Sequence, residues 1–326
     1  MEDKLLRICL ERALKLRWRE GFSQRSTRRI SASSSRFAKE NYKRAPYLLE
    51  ILKCPRCKLP PVSQRLHHQL IWITGASAGI GRELALLCAR HGARLILSAR
   101  NESALREVAA QCTGAPSVDC VPLDLSDYSS LRQAVERVRE VAGTPDILIH
   151  NGGISQRGDA EHTSFDVDER LMRVNYFGPV LLTKLVLPEM LARGSGRFVV
   201  ISSFAGKWGF YQRSAYSASK HALHGFFESL RLETEGRGIR VHLVTPGFIA
   251  TAISVSALNE AGNPTGEMDQ NQAKGLPPDQ CAQQILNGVL AGKEEFGVGG
   301  KELRALWVHR LFPKLFGKIL RRQSPR

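Results

Sequence analysis

From residue 69 onward, short apolar runs alternate with longer segments whose apolar positions recur every three or four residues. The short runs predict strands at 69–73, 93–98, 118–122, 146–150, 196–202 and 239–245. The longer segments predict helices at 80–91, 102–112, 128–141, 165–192, 214–235 and 278–290. Gly92 follows the first helix as a C-cap. Continuous apolar strands separated by helices predict an α/β fold with one doubly wound parallel sheet, Rossmann-type, covered on both faces. That domain should span residues 69–300.

The two ends are patterned differently. Leu6, Leu10, Leu14 and Trp18 recur every four residues, so 2–19 reads as a basic amphipathic helix. Residues 21–45 are rich in Ser and Arg. Together they have the character of a transit peptide, a membrane-surface helix or an unstructured leader, three readings that stay open. Residues 55–66 are punctuated by proline and read as a linker within the extension 1–68. At the other end, 301–326 interleaves Leu306, Trp307, Leu311, Phe312, Leu315, Phe316, Ile319 and Leu320 with Arg304, Arg310, Lys314, Lys318, Arg321 and Arg322, broken at Pro313. A helix of this type can lie in a bilayer interface, or fold over its own substrate pocket or a partner subunit.

Charge sharpens this division. The net charge is +16. Residues 1–70 hold 17 basic and 6 acidic side chains, and 301–326 hold 8 and 1. The middle is therefore slightly acidic, which suits a small-molecule enzyme and not a nucleic-acid surface. Seven scattered cysteines form no disulfide framework. Cys54-Pro-Arg-Cys57, with His67 and His68 downstream, matches no standard zinc spacing, so no metal site is expected. No run of about 18 apolar residues is present to span a membrane. The expected location is intracellular, on an endoplasmic-reticulum, peroxisomal or mitochondrial surface.

Candidate chemistry lies at three strand ends. Thr74, Gly75, Ser77, Gly79, Ile80 and Gly81 connect the first strand to the first helix. Glycines there let a pyrophosphate approach the backbone and the free N–H groups of the helix start. The second strand ends in Ser98-Ala99-Arg100-Asn101, with no acid for a ribose 2′-hydroxyl and one guanidinium for a 2′-phosphate. This favours NADP(H), with Ser98 and Asn101 as supporting donors. Tyr216 and Lys220 lie one turn apart on a helix. An ammonium beside a phenol lowers its pKa and equips it for proton transfer.

This ordered set resembles the short-chain dehydrogenase/reductase family over about residues 69–300. The carrying motifs are Thr74 to Gly81, Tyr216 with Lys220, Ser203 thirteen positions before the tyrosine, Asn175 in Val174-Asn175-Tyr176-Phe177-Gly178, and Asp124 between Leu123 and Leu125. Pro246, Gly247, Ile249 and Thr251 match a turn that the family places beside the nicotinamide. Within the family, the stretches 153–158, 175–180 and 214–222 resemble the dehydrogenase/reductase member 7 group, B type, whose relatives are membrane-attached reductases. The resemblance implies that Asn175, Ser203, Tyr216 and Lys220 are catalytic. It implies a cofactor held by the glycine loop, Arg100, Asn101, Asp124, Leu125, Asn151, Tyr216, Lys220 and the turn at 246–251. One departure is His150 where the family has asparagine; a histidine packed at a strand end is expected. The implied reaction interconverts a carbonyl and an alcohol on a hydrophobic substrate, with Ile253, Val255, Leu258 and Met268 beside it. A homo-oligomer is compatible with this reading. Two other classes are a non-catalytic dinucleotide sensor and a protein that acts through its basic ends on nucleic acid or membrane.

Overall fold

The computed structural model describes residues 66–322. The N-terminal amphipathic segment, the Ser/Arg-rich stretch, the Cys54–Cys57 pair and most of the linker lie outside the described residues.

Seven strands form one parallel sheet: β1 (Leu70–Thr74), β2 (Arg94–Ser98), β3 (Val118–Cys120), β4 (Ile147–His150), β5 (Gly196–Ile201), β6 (Ile239–Pro246) and β7 (Glu295–Val298). Their spatial order is β3-β2-β1-β4-β5-β6-β7. Although the central strands are largely apolar, their side chains sort by the period of two. Ile71, Ile73, Leu95, Leu97, Ile147, Ile149, Val199 and Ile201 enter one core. Leu70, Trp72, Ile96, Leu148, Phe198, Val200 and Leu243 enter the other. The first core is covered by α1 (Gly79–Arg90), α2 (Glu102–Gln111) and α8 (Pro278–Leu290). The second is covered by α3 (Tyr128–Val141), α5 (Gly178–Arg193) and α6 (Ser214–Glu233).

The strand order reverses between β1 and β4. Their carboxyl ends diverge into separate loops, and the crevice there is where ligands bind in such sheets.

Two elements differ from the sequence-based expectation. β7 was not expected: Glu295-Phe296-Gly297-Val298 has one buried residue and reads as a loop, yet it pairs with β6 along Leu243 to Pro246. The single helix expected at 165–192 is three elements. These are α4 (Phe165–Met172), a π-helical turn (Arg173–Phe177) and α5. A π turn inserts one extra residue and commonly marks a functional position; Asn175 sits in it.

The C-terminal segment folds onto this domain as α9 (Arg304–Leu311) and α10 (Pro313–Arg321). Phe316 is the anchor. It is buried against Phe204 and Trp208, with its ring 4.7 Å from that of Trp208. Between β6 and α8 lies a short helix, α7 (Gln270–Ala273).

Candidate active site

The glycine loop is held by its neighbour strand. Thr74 Oγ1 accepts from the backbone N–H groups of Asn151 and Gly152, each at 3.1 Å. Asn151 Nδ2 donates to the carbonyls of Thr74 and Gly75, each at 3.1 Å. Gly75 adopts φ +64°, and a Cβ there would lie 2.7 Å from Gly152 Cα. Gly81 packs equally closely on Gly75 and Asn151. Thr74 and Gly81 therefore shape the loop from behind. Gly75, Ser77, Gly79 and Ile80 face a cavity of about 740 Å³.

That cavity suits a dinucleotide. The first turn of α1 has no side-chain cap and no acidic residue, so its N–H groups and positive dipole end are available to a phosphate. Arg100 is exposed at the far end of the cavity. Asn101 also lines it, while its Oδ1 caps α2 by accepting from Ala104 N at 3.1 Å. Ser98 does not serve as a supporting donor. It is fully buried, accepts from Trp72 Nε1 at 2.9 Å and donates to the Val121 carbonyl at 2.6 Å. Asp124 and Leu125 form another wall. Burial works against the Asp124 charge. Hydrogen bonds from the Ser126 backbone and hydroxyl outweigh it, helped by Arg100 and Arg170, and the net pKa is lowered. Pro246, Gly247, Ile249 and Thr251 line the same cavity. A Cβ on Gly79 would lie 3.2 Å from Thr251 Cγ2, so this turn sits over the start of α1.

Tyr216 and Ser203 line this cavity and also a smaller one beside it. The Ser203 hydroxyl acts on the Tyr216 phenol as a group that lowers its pKa. Burial raises the phenol pKa, offset in part by Ser203 and by the charges of Arg213 and Arg157. The net direction is set by burial. Lys220 Nζ donates to the Ile201 carbonyl at 2.9 Å and lies 5.9 Å from the Tyr216 ring centre. Its own pKa is lowered by burial to about 8. The amine therefore keeps its charge at neutral pH and loses it as pH rises through about 8.

Asn175 lies behind the cavity. Its Oδ1 accepts from Ile154 N, and its Nδ2 donates to the Ile154 carbonyl, both at 2.9 Å. A further bond runs from Nδ2 to Ser219 Oγ at 3.0 Å. The π turn thus clamps the exit of β4 to the Tyr216 helix. His150 is packed in the core, its ring 5.6 Å from Phe227, with Nε2 2.8 Å from Thr183 Oγ1. Burial lowers its pKa to about 3, so it is neutral.

Four residues of the site were given no role by the sequence. Gln156 is fully buried, and its Oε1 accepts from Ala215 N at 3.0 Å, capping the first turn of α6, in which Tyr216 itself lies. Arg157, Arg213 and Asp269 come from three loops. Asp269 Oδ2 is 2.6 Å from Arg213 and 3.6 Å from Arg157, all three mostly shielded from solvent. Both arginines line the smaller cavity with Phe204, Phe210 and Ile253. Two cations there face one carboxylate, and Arg213 Nε is buried without a hydrogen-bond partner. Of the loop apolars expected near substrate, Ile253 is in place. Leu258 instead packs with Val167, Leu171 and Ala215, and Met268 is exposed.

This fold, with a glycine loop at the switch point and a Tyr/Lys helix beside it, defines a dinucleotide-dependent oxidoreductase architecture. The family model for short chain dehydrogenases matches residues 69–261, and the chain belongs to that family. It is 41% identical over 272 residues to "Dehydrogenase/reductase SDR family protein 7-like" of Drosophila melanogaster, covering 80% of this chain and 83% of that one. It is 39% identical over 263 residues to "Dehydrogenase/reductase SDR family member 7B" of Mus musculus, covering 78% and 81%. Among solved structures, the alcohol dehydrogenase of the archaeon Thermococcus sibiricus, complexed with 5-hydroxy-NADP, superposes with a TM-score of 0.63 at 25% identity, over 72% of this chain and 97% of that one.

Proposed function

We propose that the protein is an NADP(H)-dependent reductase of a carbonyl group, or the reverse alcohol dehydrogenase, acting on a substrate that combines apolar and anionic parts. The observation that carries this reading is that Tyr216 and Ser203 line both cavities, so the proton-transfer pair stands where a cofactor and a second molecule would meet. The glycine loop, the α1 N-terminus, Asp124, Asn151 and the turn at 246–251 would hold the cofactor. When bound, its nicotinamide supplies or accepts hydride at the substrate carbon.

The chain's own groups handle the oxygen. Ser203 Oγ donates to the carbonyl oxygen and orients it toward Tyr216. Tyr216 gives that oxygen its proton in reduction and takes it back in oxidation. Burial raises the phenol pKa, so Tyr216 enters the reduction as the proton donor. Lys220 supplies the positive charge that the departing proton requires. Asn175 keeps the loop at Ile154 in register with the Tyr216 helix. The Asp269-bridged arginines support an anionic group on the substrate, and Phe204, Phe210 and Ile253 an apolar one.

Support for NADP(H) over NAD(H) comes from Arg100 at the end of β2, where no acidic residue stands. NADPH is expected to bind at least tenfold more tightly than NADH, and Arg100→Ala should remove most of that margin, since a charge-assisted contact contributes ~1.5–3 kcal/mol. Fluorescence titration of both cofactors checks it; equal affinity in the unaltered protein would reject NADP(H) selectivity. Turnover should then be compared across ketone pairs of matched chain length with and without an anionic group.

The Lys220 value gives a pH prediction. The amine is charged below about pH 8 and neutral above it. Reductive kcat/KM for the cofactor, which reports ionisations of the free enzyme, should therefore fall as pH rises through about 8. A profile flat to pH 9.5 would contradict the role given to its charge.

A further inference from the structure

We infer that α9 and α10 form a docking surface for an anionic lipid bilayer and hold the smaller cavity next to it. Trp307 and Leu311 are exposed one turn apart on α9, and Leu315 and Ile319 one turn apart on α10, with exposed Phe312 at the junction. Trp307 is 66% exposed and Phe312 60%, large apolar surfaces left in water with nothing of the domain over them. Arg304, Arg310, Lys314, Lys318, Arg321 and Arg322 are also exposed. Among the described residues, none of these six cations pairs with a carboxylate, whereas Arg82, Arg106, Arg137, Arg139 and Arg173 elsewhere do. Aromatic and aliphatic side chains beside unpaired cations match the acyl boundary and headgroups of an anionic leaflet.

The opposite side of the same two helices fixes them to the domain. Phe316 is seated on Trp208 and Phe204, with Leu306, Val308 and Leu320 around it. Phe204 lines the smaller cavity. Phe210, which also lines that cavity, packs on Trp208 at 5.8 Å between ring centres. The bilayer-facing helices and the cavity wall therefore share one aromatic cluster. An apolar substrate dissolved in the membrane would reach the cavity without crossing bulk water. This last step rests on the proposed carbonyl chemistry; the docking itself does not.

The test is vesicle flotation of the full chain with phosphatidylcholine vesicles and with vesicles containing phosphatidylserine. Binding is expected only to the second kind, with a blue shift of tryptophan emission that is lost in Trp307→Phe. Lys314→Glu/Lys318→Glu should weaken binding on the order of thirtyfold or more, from ~1 kcal/mol per cation removed. Leu315→Ser/Ile319→Ser should weaken it by a similar amount. Both variants should keep the unaltered protein's melting temperature and NADPH affinity. Vesicle binding that is indifferent to all of these changes would place the contact elsewhere in the chain and overturn the inference. So would absence of binding, or a concentration-dependent dimer abolished by Leu315→Ser/Ile319→Ser, which would assign the surface to a second copy. If docking holds but no ketone is turned over, the carbonyl reading fails and the docking surface stands.

Discussion

Tyr216→Phe should lower turnover by ~10²–10⁴-fold while leaving NADPH affinity within about twofold of the unaltered value. The substitution keeps the ring and its packing and removes one oxygen. Ser203, the neighbour that acts on this oxygen, still accepts from Ala205 N at 3.2 Å and is not left without a partner. Melting temperature should therefore change little. Single-turnover kinetics at saturating NADPH separate the chemical step from binding. Near-normal turnover would remove Tyr216 from the mechanism. Unchanged cofactor binding with no turnover in the unaltered protein on every ketone tried would favour a dinucleotide sensor.

Gly75→Ala should damage both fold and cofactor binding. The left-handed conformation at φ +64° costs a residue with a Cβ ~1–2 kcal/mol. The larger cost is overlap, because the methyl would sit 2.7 Å from Gly152 Cα, 2.9 Å from Gly152 N and 3.0 Å from Asn151 Nδ2. These are backbone atoms and a clamped amide, so none can swing away as a flexible side chain would. Relief requires the loop and the end of β4 to part, which breaks the Asn151 bonds to the carbonyls of Thr74 and Gly75. A stability loss of ~3 kcal/mol or more is expected, together with NADPH binding weakened on the order of a hundredfold. Gly143→Ala is the control. It shares the positive φ, at +88°, but nothing lies within 4 Å of its Cβ. It should show the conformational cost alone and normal NADPH affinity. Chemical denaturation and NADPH titration of both variants decide the matter; equal effects would mean that the close approach is unimportant.

Strand and helix periodicity revealed the sheet because β1, β2, β4, β5 and β6 are largely buried on both faces, and such burial leaves a nearly unbroken apolar run. β7 broke that rule: at the sheet edge it buries one residue, so its sequence carries almost no pattern. The π turn was hidden for another reason. One inserted residue shifts the apolar stripe by a fraction of a turn, which a long helix absorbs without a visible gap. Thr74, Gly75 and Asn151 were legible as a group because local spacing places them at two strand ends. The Arg157, Arg213 and Asp269 cluster was not, since three loops distant in sequence bring it together. Ser98 looked like a surface donor beside Arg100, yet the strand's alternation turns it inward toward Trp72. The Tyr216–Lys220 spacing placed both groups at the site but could not reveal that the Ile201 carbonyl holds the ammonium.

The Gln156 cap also bears on how such enzymes can be remodelled. Its amide oxygen, from the loop that continues to Arg157, terminates the helix that carries Tyr216. The loop that the proposed reading places beside the substrate and the helix that carries Tyr216 are thus mechanically linked. Transplanting a foreign 153–158 loop to change substrate choice would leave the first N–H groups of α6 without an acceptor unless the donor loop brings its own. Loop libraries for this chain should hold Gln156 constant and vary around it, and a graft that ignores it should lose catalysis before it changes preference.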